Sequence, residues 1–129
     1  MGITANSIRV GNYVKYCNSK TTEVRLEGIA PAGCDYVCAF NGVIAPVQSF
    51  EGIRLSADWF YSCNFMEYAD NDFVIPALPQ VVFRLKEQSV GVIVNDVEIK
   101  NITFLHELQN LFFILSGNEL TVRKEMSYN

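Results

Sequence analysis

Residues 103–117 read TFLHELQNLFFILSG, and the fold turns on whether they coil. At about 100° per residue, Phe104, Leu105, Leu108, Leu111, Phe112 and Leu115 fall within roughly 60° of Leu108. That face is too regular for a loop and too long for a typical strand. Thr103 is placed to cap the start through its hydroxyl, and Gly117 to close the end in the left-handed conformation. The opposite side carries His106, Glu107 and Asn110, then Phe113 and Ile114. The spacing predicts an amphipathic helix, half wet near its start and covered on both sides near its end.

Just upstream, Val81 to Leu85, Val90 to Val94 and Val97 to Lys100 read as an antiparallel meander, with turns at Lys86 to Ser89 and at Asn95-Asp96. Downstream, Leu120 to Lys124 reads as a short final strand. Before the meander, residues 73–80 (FVIPALPQ) hold two prolines that interrupt regular pairing, and Glu67 to Asp72 reads as an acidic turn. Ser56 and Asp58 suit the start of a short helix carrying Trp59, Phe60 and Cys63 and ending by Asn64.

The first part of the chain is β-rich. Ser7 to Tyr16 reads as a strand interrupted at Gly11-Asn12, and Thr21 to Ala30 alternates Val24 and Leu26 against Glu23, Arg25 and Glu27, with a kink at Gly28. Asp35 to Phe40, Asn41-Gly42 and Val43 to Val47 carry the strongest short hairpin signal, and Phe50 to Leu55 adds a last strand. These elements predict an α+β protein. Residues 1–55 are expected to form a small SH3-like β-barrel or curled sheet. Residues 56–129 are expected to form a helix, the antiparallel meander, and the C-terminal helix packed across it, followed by the short strand, and to share the core of the first part.

A chain of 129 residues, 50% hydrophobic and 19% charged, buries enough surface to fold without disulfide or metal. No apolar run approaches the roughly 20 residues that cross a bilayer. The opening MGITANSIRVGNYVKY lacks the layout of a secretory signal, and Asn6 stands where myristoylation needs Ser or Thr. The expected setting is therefore the cytoplasm, with Cys17, Cys34, Cys38 and Cys63 as reduced thiols. The net charge is −4, and from Ser56 onward ten acidic residues face five basic ones, which argues against DNA as a partner.

Three stretches, RVGNYV at 9–14, LSADWF at 55–60 with Asn64-Phe65 after it, and HELQNLFFILSGNEL at 106–120, resemble a known family. It comprises small uncharacterised proteins encoded in Bacteroidetes genomes, in their prophages and mobile elements, and in phages of those bacteria. Its members look like R-(I/V)-G-N-x-(V/I) near the start and H-x-L-Q-N-L-(Y/F)-F-x-L-(T/S)-G-x-E-L near the end. The chain departs from them at Asn64-Phe65, where Gly-Phe is common. The resemblance implies a phage or mobile-element context in the bacterial cytoplasm. It implies no activity.

Candidate chemistry is sparse. His106 is the only histidine, and it reads as a polar contact or as a structural side chain at the helix start. With Asn110, Phe113 and Ile114 it marks a candidate interface, since exposed apolar pairs invite association and a homo-oligomer. Phe113 and Ile114 are equally explained by packing under the N-terminal sheet. The cysteines lack the close pairs of structural zinc, the carboxylates at 67–72 lack the calcium-loop series, and no phosphate loop or nucleophile elbow occurs. No metal, cofactor or catalytic residue is expected. Tyr13, Lys15, Tyr16, Arg25 and Tyr36 interleave aromatic and basic groups and form the candidate recognition surface. The expected role is a non-catalytic binding or accessory protein of phage or mobile-element origin, acting through protein–protein contacts. The alternative is a protein that sequesters a small nucleotide signal and so counters host antiviral defence.

Overall fold

The computed structural model describes residues 3–123, and the fold is α+β, dominated by antiparallel sheet. After a short 3-10 turn at Ala5–Ser7, strands β1 (Tyr13–Cys17) and β2 (Thr21–Arg25) form a hairpin. Strands β3 (Gly28–Ala32), β4 (Asp35–Phe40) and β5 (Val43–Pro46) form a meander, and β6 (Phe50–Glu51) returns to pair with β1. Helix α1 (Ala57–Ser62) leads into β7 (Met66–Ala69), β8 (Asp72–Ile75), β9 (Leu78–Leu85), β10 (Val90–Val94) and β11 (Val97–Ile102). Helix α2 (Leu105–Ser116) follows.

The chain divides into two compact units, one of Met1–Arg54 with Phe104–Asn110 and one of Leu55–Thr103 with Leu111–Asn129. Helix α2 belongs to both.

In the first unit the expected barrel does not close. Two three-stranded sheets stand instead, in the orders β2-β1-β6 and β3-β4-β5, and among the described residues no ladder joins them. The reason lies at Leu26-Glu27, between β2 and β3. There the Leu26 N–H turns to the Asn12 carbonyl (2.8 Å) and the Glu27 N–H to the Ala39 carbonyl (2.8 Å), so the chain leaves one sheet for the other. Both sheets feed one core, in which Val14, Leu26, Cys38 and Phe50 are wholly buried. The strand expected over Ser7 to Tyr16 begins only at Tyr13, because Gly11 takes φ +98 and Asn12 is fixed in the turn before it.

In the second unit the five strands run β11-β10-β9-β8-β7. The meander is longer than the sequence indicates, since the proline-containing and acidic segments supply β8 and β7. Pro79 is tolerated because it falls between the last β8 pair, Ile75 with Leu78, and the first β10 pair, Val81 with Val94. The two-residue turns at Asn41-Gly42 and Asn95-Asp96 all take positive φ, the geometry that matches the twist of a hairpin. Asn64, at φ 69, takes the left-handed position that closes α1, and the Phe65 N–H reaches back to the Phe60 carbonyl (3.0 Å). An asparagine does here what a glycine would. Leu120 is buried and the Arg123 N–H bonds the Ser62 carbonyl (3.0 Å), but 120–123 form no strand, and Lys124 lies outside the described residues.

Helix α2 starts at Leu105, one residue later than a Thr103 cap predicts. The Glu107 carboxylate accepts the Phe104 N–H (2.9 Å), half of a capping box, and Gly117 ends the helix at φ +78. Leu105, Leu108 and Phe112 are buried as expected. Leu115 is exposed, and His106 and Gln109 take places in the buried arc. No helix among the described residues is long and apolar enough to cross a membrane.

Candidate functional site

Three places deserve a chemical reading, and the first proves to be structural. Gln109, only 3% exposed, accepts the Tyr13 N–H at Oε1 (2.8 Å) and donates from Nε2 to the Gly11 carbonyl (3.1 Å). Asn110 donates to the Ser7 carbonyl (3.0 Å), while its Oδ1 accepts from Arg9 Nε (2.9 Å) and Asn12 Nδ2 (2.9 Å). Asn12 is wholly buried, and its own Oδ1 accepts the Arg9 N–H (2.7 Å). The R-V-G-N stretch and the L-Q-N stretch are therefore each other's hydrogen-bond partners. Their pattern encodes a clamp, and Asn110 has its amide committed inside the first unit.

The second place is a recess of about 200 Å³ at the first turn of α2. Ile3, Thr4 and Ser7 form one wall, Phe104, His106 and Glu107 another, and Gly52 lies between. A Cβ at Gly52 would stand 2.6 Å from Phe104 Cγ, so only glycine admits that ring. The Phe104 and His106 rings are nearly parallel, with centroids 5.8 Å apart and planes 8° apart. His106 is 2% exposed, so it offers little surface to the interface expected there, and among the described residues its buried Nδ1 has no hydrogen-bond partner.

Burial holds the His106 imidazole below its usual 6.5, and the neighbouring Glu107 charge only partly opposes this. The unfolded chain thus binds a proton at this residue more readily than the folded one. The stability contributed by the neutral ring is present above pH 6.5 and lost as pH falls from there toward the folded value. Thermal melting followed between about pH 7.5 and 5.5 is expected to show this loss in the wild type and a flatter profile in His106→Phe. Parallel profiles in the two proteins would refute it.

The third place is a groove of about 420 Å³ on the outer face of the five-stranded sheet. Met66 and Tyr68 of β7, Val74 and Ile75 of β8, Val82 of β9 and the two prolines Pro76 and Pro79 line it. Met66 and Tyr68 are each 62% exposed. Strand β7 is the sheet's edge, but the ladder slips between Glu67 and Ala69, and the bulge at Tyr68 spoils the regular spacing an added strand needs. On the same face the Asp72 carboxylate takes the Arg84 guanidinium in a two-pronged pair (2.8 and 3.1 Å), so Arg84 carries its counter-charge with it. Glu67, hydrogen-bonded by the Tyr61 hydroxyl (2.6 Å) and then by the Asn71 N–H (2.9 Å), is held below the usual carboxylate range.

The expected recognition set is divided. Tyr16 packs its ring 4.9 Å from Phe40 and 5.3 Å from Phe50, as part of the core. Tyr13 lies directly across from Arg25, and Lys15 between Glu23 and Glu51, while Tyr36, 41% exposed, belongs to the other sheet. Phe113 and Ile114 are 39% and 74% exposed. Cys34 is exposed, Cys17 half-buried, and Cys38 and Cys63 buried, with burial pushing the Cys63 thiol up to about 12. The groove was missed because its strands come from segments whose acidic and proline residues masked the alternation of Met66, Tyr68, Val74 and Val82. No protein-family model, curated protein or solved structure matches the chain.

Proposed function

We propose that this protein acts by binding rather than by catalysis, and that the groove over Met66, Tyr68, Val74 and Val82 receives an extended apolar segment of a protein partner with a basic flank. The observation that carries the reading is the groove itself: side chains without a formal charge line it, yet it is open on the outer face of the sheet. Its volume suits a few side chains of a peptide. Charge selects the flank, because Asp70 lies in the β7–β8 turn beside the groove and the Arg84 guanidinium on the same face is neutralised by Asp72. A nucleotide fits less well. Its phosphates require convergent basic groups, and neither the groove nor the α2 recess has a lysine or arginine in its wall. The resemblance of residues 9–14 and 106–120 to phage and mobile-element proteins supports an origin in such elements.

Selection from a displayed peptide library tests the reading. Enriched peptides are expected to hold two or more large apolar residues next to Lys or Arg. Met66→Asp, at an exposed position, is expected to weaken them by about 100-fold while leaving the fold intact, the effect of setting a charge into an apolar contact. Equal binding by folded Met66→Asp would overturn the proposal, and so would an acidic consensus. A wild-type dimer that Met66→Asp dissociates would assign the groove to a second copy of the chain instead.

A further inference from the structure

The sheet β3-β4-β5 turns only one of its faces to the core. Cys38 and Phe40 of β4 are buried, so Val37 and Ala39 beside them point the other way. The register carries that outer face across all three strands. Gly28, Ala39 and Ile44 form one row, and Ala30, Val37 and Pro46 form the next. All six residues are apolar and none is buried, and Ile44 is 71% exposed. From Gly28 to Phe50 the sequence holds a single charged residue, Asp35, in a chain whose net charge is −4.

Gly28 has no explanation within the chain itself. Its φ lies outside the left-handed region, and a Cβ there would meet only the Ala39 Cβ at 3.5 Å, an ordinary contact. Glycine weakens a strand, and it recurs where another surface approaches closely. The row in which it stands specifies that surface. There is a hollow at Gly28 on the β3 edge, a methyl group at Ala39 in the middle, and a protruding Ile44 on the β5 edge. The same face turned by half a revolution about an axis along β4 lays Ile44 over the hollow at Gly28 and Pro46 over Ala30.

We propose that this face pairs with the same face of a second copy of the chain, as two sheets packed about a two-fold axis along β4, with Ile44 of each copy seated on Gly28 of the other. Sheets packed in this way lie about 10 Å apart with their strands within about 30° of each other, which keeps a three-strand row in register. Charge favours the same partner. Two acidic chains repel over most of their surfaces, and this face lets them meet with almost no charge between them. The exception is Asp35, at the far end of β4 across from Ala32, whose carboxylate accepts the Tyr36 N–H (2.9 Å) and a bond from Gln48 Nε2. The two-fold axis brings both Asp35 residues to that one end, so added salt is expected to strengthen the pair. A face of three short strands buries less than about 1,200 Å² in all, the range of weak, reversible association.

Sedimentation velocity of the full chain between about 10 μM and 1 mM tests this. The wild type is expected to pass from monomer to dimer across that range. Ile44→Asp, at an exposed position, is expected to weaken the dimer at least about tenfold. Gly28→Ile adds apolar surface and fits the single chain, yet it fills the hollow, and it too is expected to weaken association about tenfold. Joining Gly28→Ile with Ile44→Ala moves the protrusion to the opposite edge of the row and is expected to restore the dimer to within about threefold of wild type. Circular dichroism and thermal melting check that each variant is folded. A chain that stays monomeric at 1 mM would overturn the proposal. So would a dimer that Gly28→Ile leaves unchanged or tightens, since a merely sticky face gains from the added side chain. A dimer broken by Met66→Asp but not by Ile44→Asp would move the contact to the groove, and one weakened by salt would exclude the two-fold arrangement.

Discussion

Phe60→Ala is expected to lower the unfolding free energy of the second unit by about 4 kcal/mol, the upper range for an aromatic side chain deleted from a core. Phe60 is wholly buried and is the residue through which a six-residue helix is anchored. Its ring stacks on Phe73 (4.6 Å between centroids, 10° between planes), meets Phe65 edge-on (5.1 Å, 81°), and lies 6.2 Å from Phe83. Phe65 in turn meets Phe83 edge-on (5.4 Å, 87°), so four rings form one packed set. A helix of six residues has no stability of its own in water, and α1 persists because this ring holds it. Removing the ring leaves a cavity that β-strand residues on either side cannot collapse to fill. Phe60→Leu is expected to cost less than half as much, since it keeps most of the volume. Urea unfolding of both variants measures the difference. A midpoint within error of wild type for Phe60→Ala would show that the aromatic set is not what secures α1.

Gln109→Leu is expected to cost about 3 kcal/mol, although it places a more hydrophobic residue at a buried helical position. The amide of Gln109 completes two backbone groups, the Tyr13 N–H and the Gly11 carbonyl, that no strand partner reaches. A buried polar group left unpaired costs roughly 1–3 kcal/mol, and leucine would leave two. Apolar transfer returns only part of that. The effect has a local signature: the Tyr13 amide should lose its protection against hydrogen exchange more than Val14 or Val24 does. If the Tyr13 amide remains protected in Gln109→Leu, its partner in solution is some other group and the clamp is misassigned. Asn110→Ala should act in the same direction, since it releases Ser7, Arg9 and Asn12 together.

Much of the architecture was legible in local signals. Asn41-Gly42 and Asn95-Asp96 marked two hairpins because a two-residue turn between right-twisted strands demands positive φ, which those residue pairs accept. Gly117 marked the end of α2 for the same steric reason. The α2 periodicity found Leu105, Leu108 and Phe112, whose burial follows from hydrophobicity alone. The periodicity does not show which backbone groups Gln109 meets, because a helical wheel has no means of showing that a buried amide is satisfied by backbone from residues 11–13, nearly a hundred positions away.

What the sequence determined by itself is therefore local: where the chain turns, where it coils, and which faces repel water, all set by sterics and side-chain polarity within a few residues. The tertiary structure alone decided that the N-terminal strands remain two sheets rather than a closed barrel, because closure depends on where the Leu26 and Glu27 amides find their acceptors. It alone turned the R-V-G-N and L-Q-N motifs into a clamp and gathered Met66, Tyr68, Val74 and Val82 into a groove. Those outcomes rest on hydrogen bonds and contacts between residues distant in the chain, and pairings at that range leave no periodic trace in a single sequence.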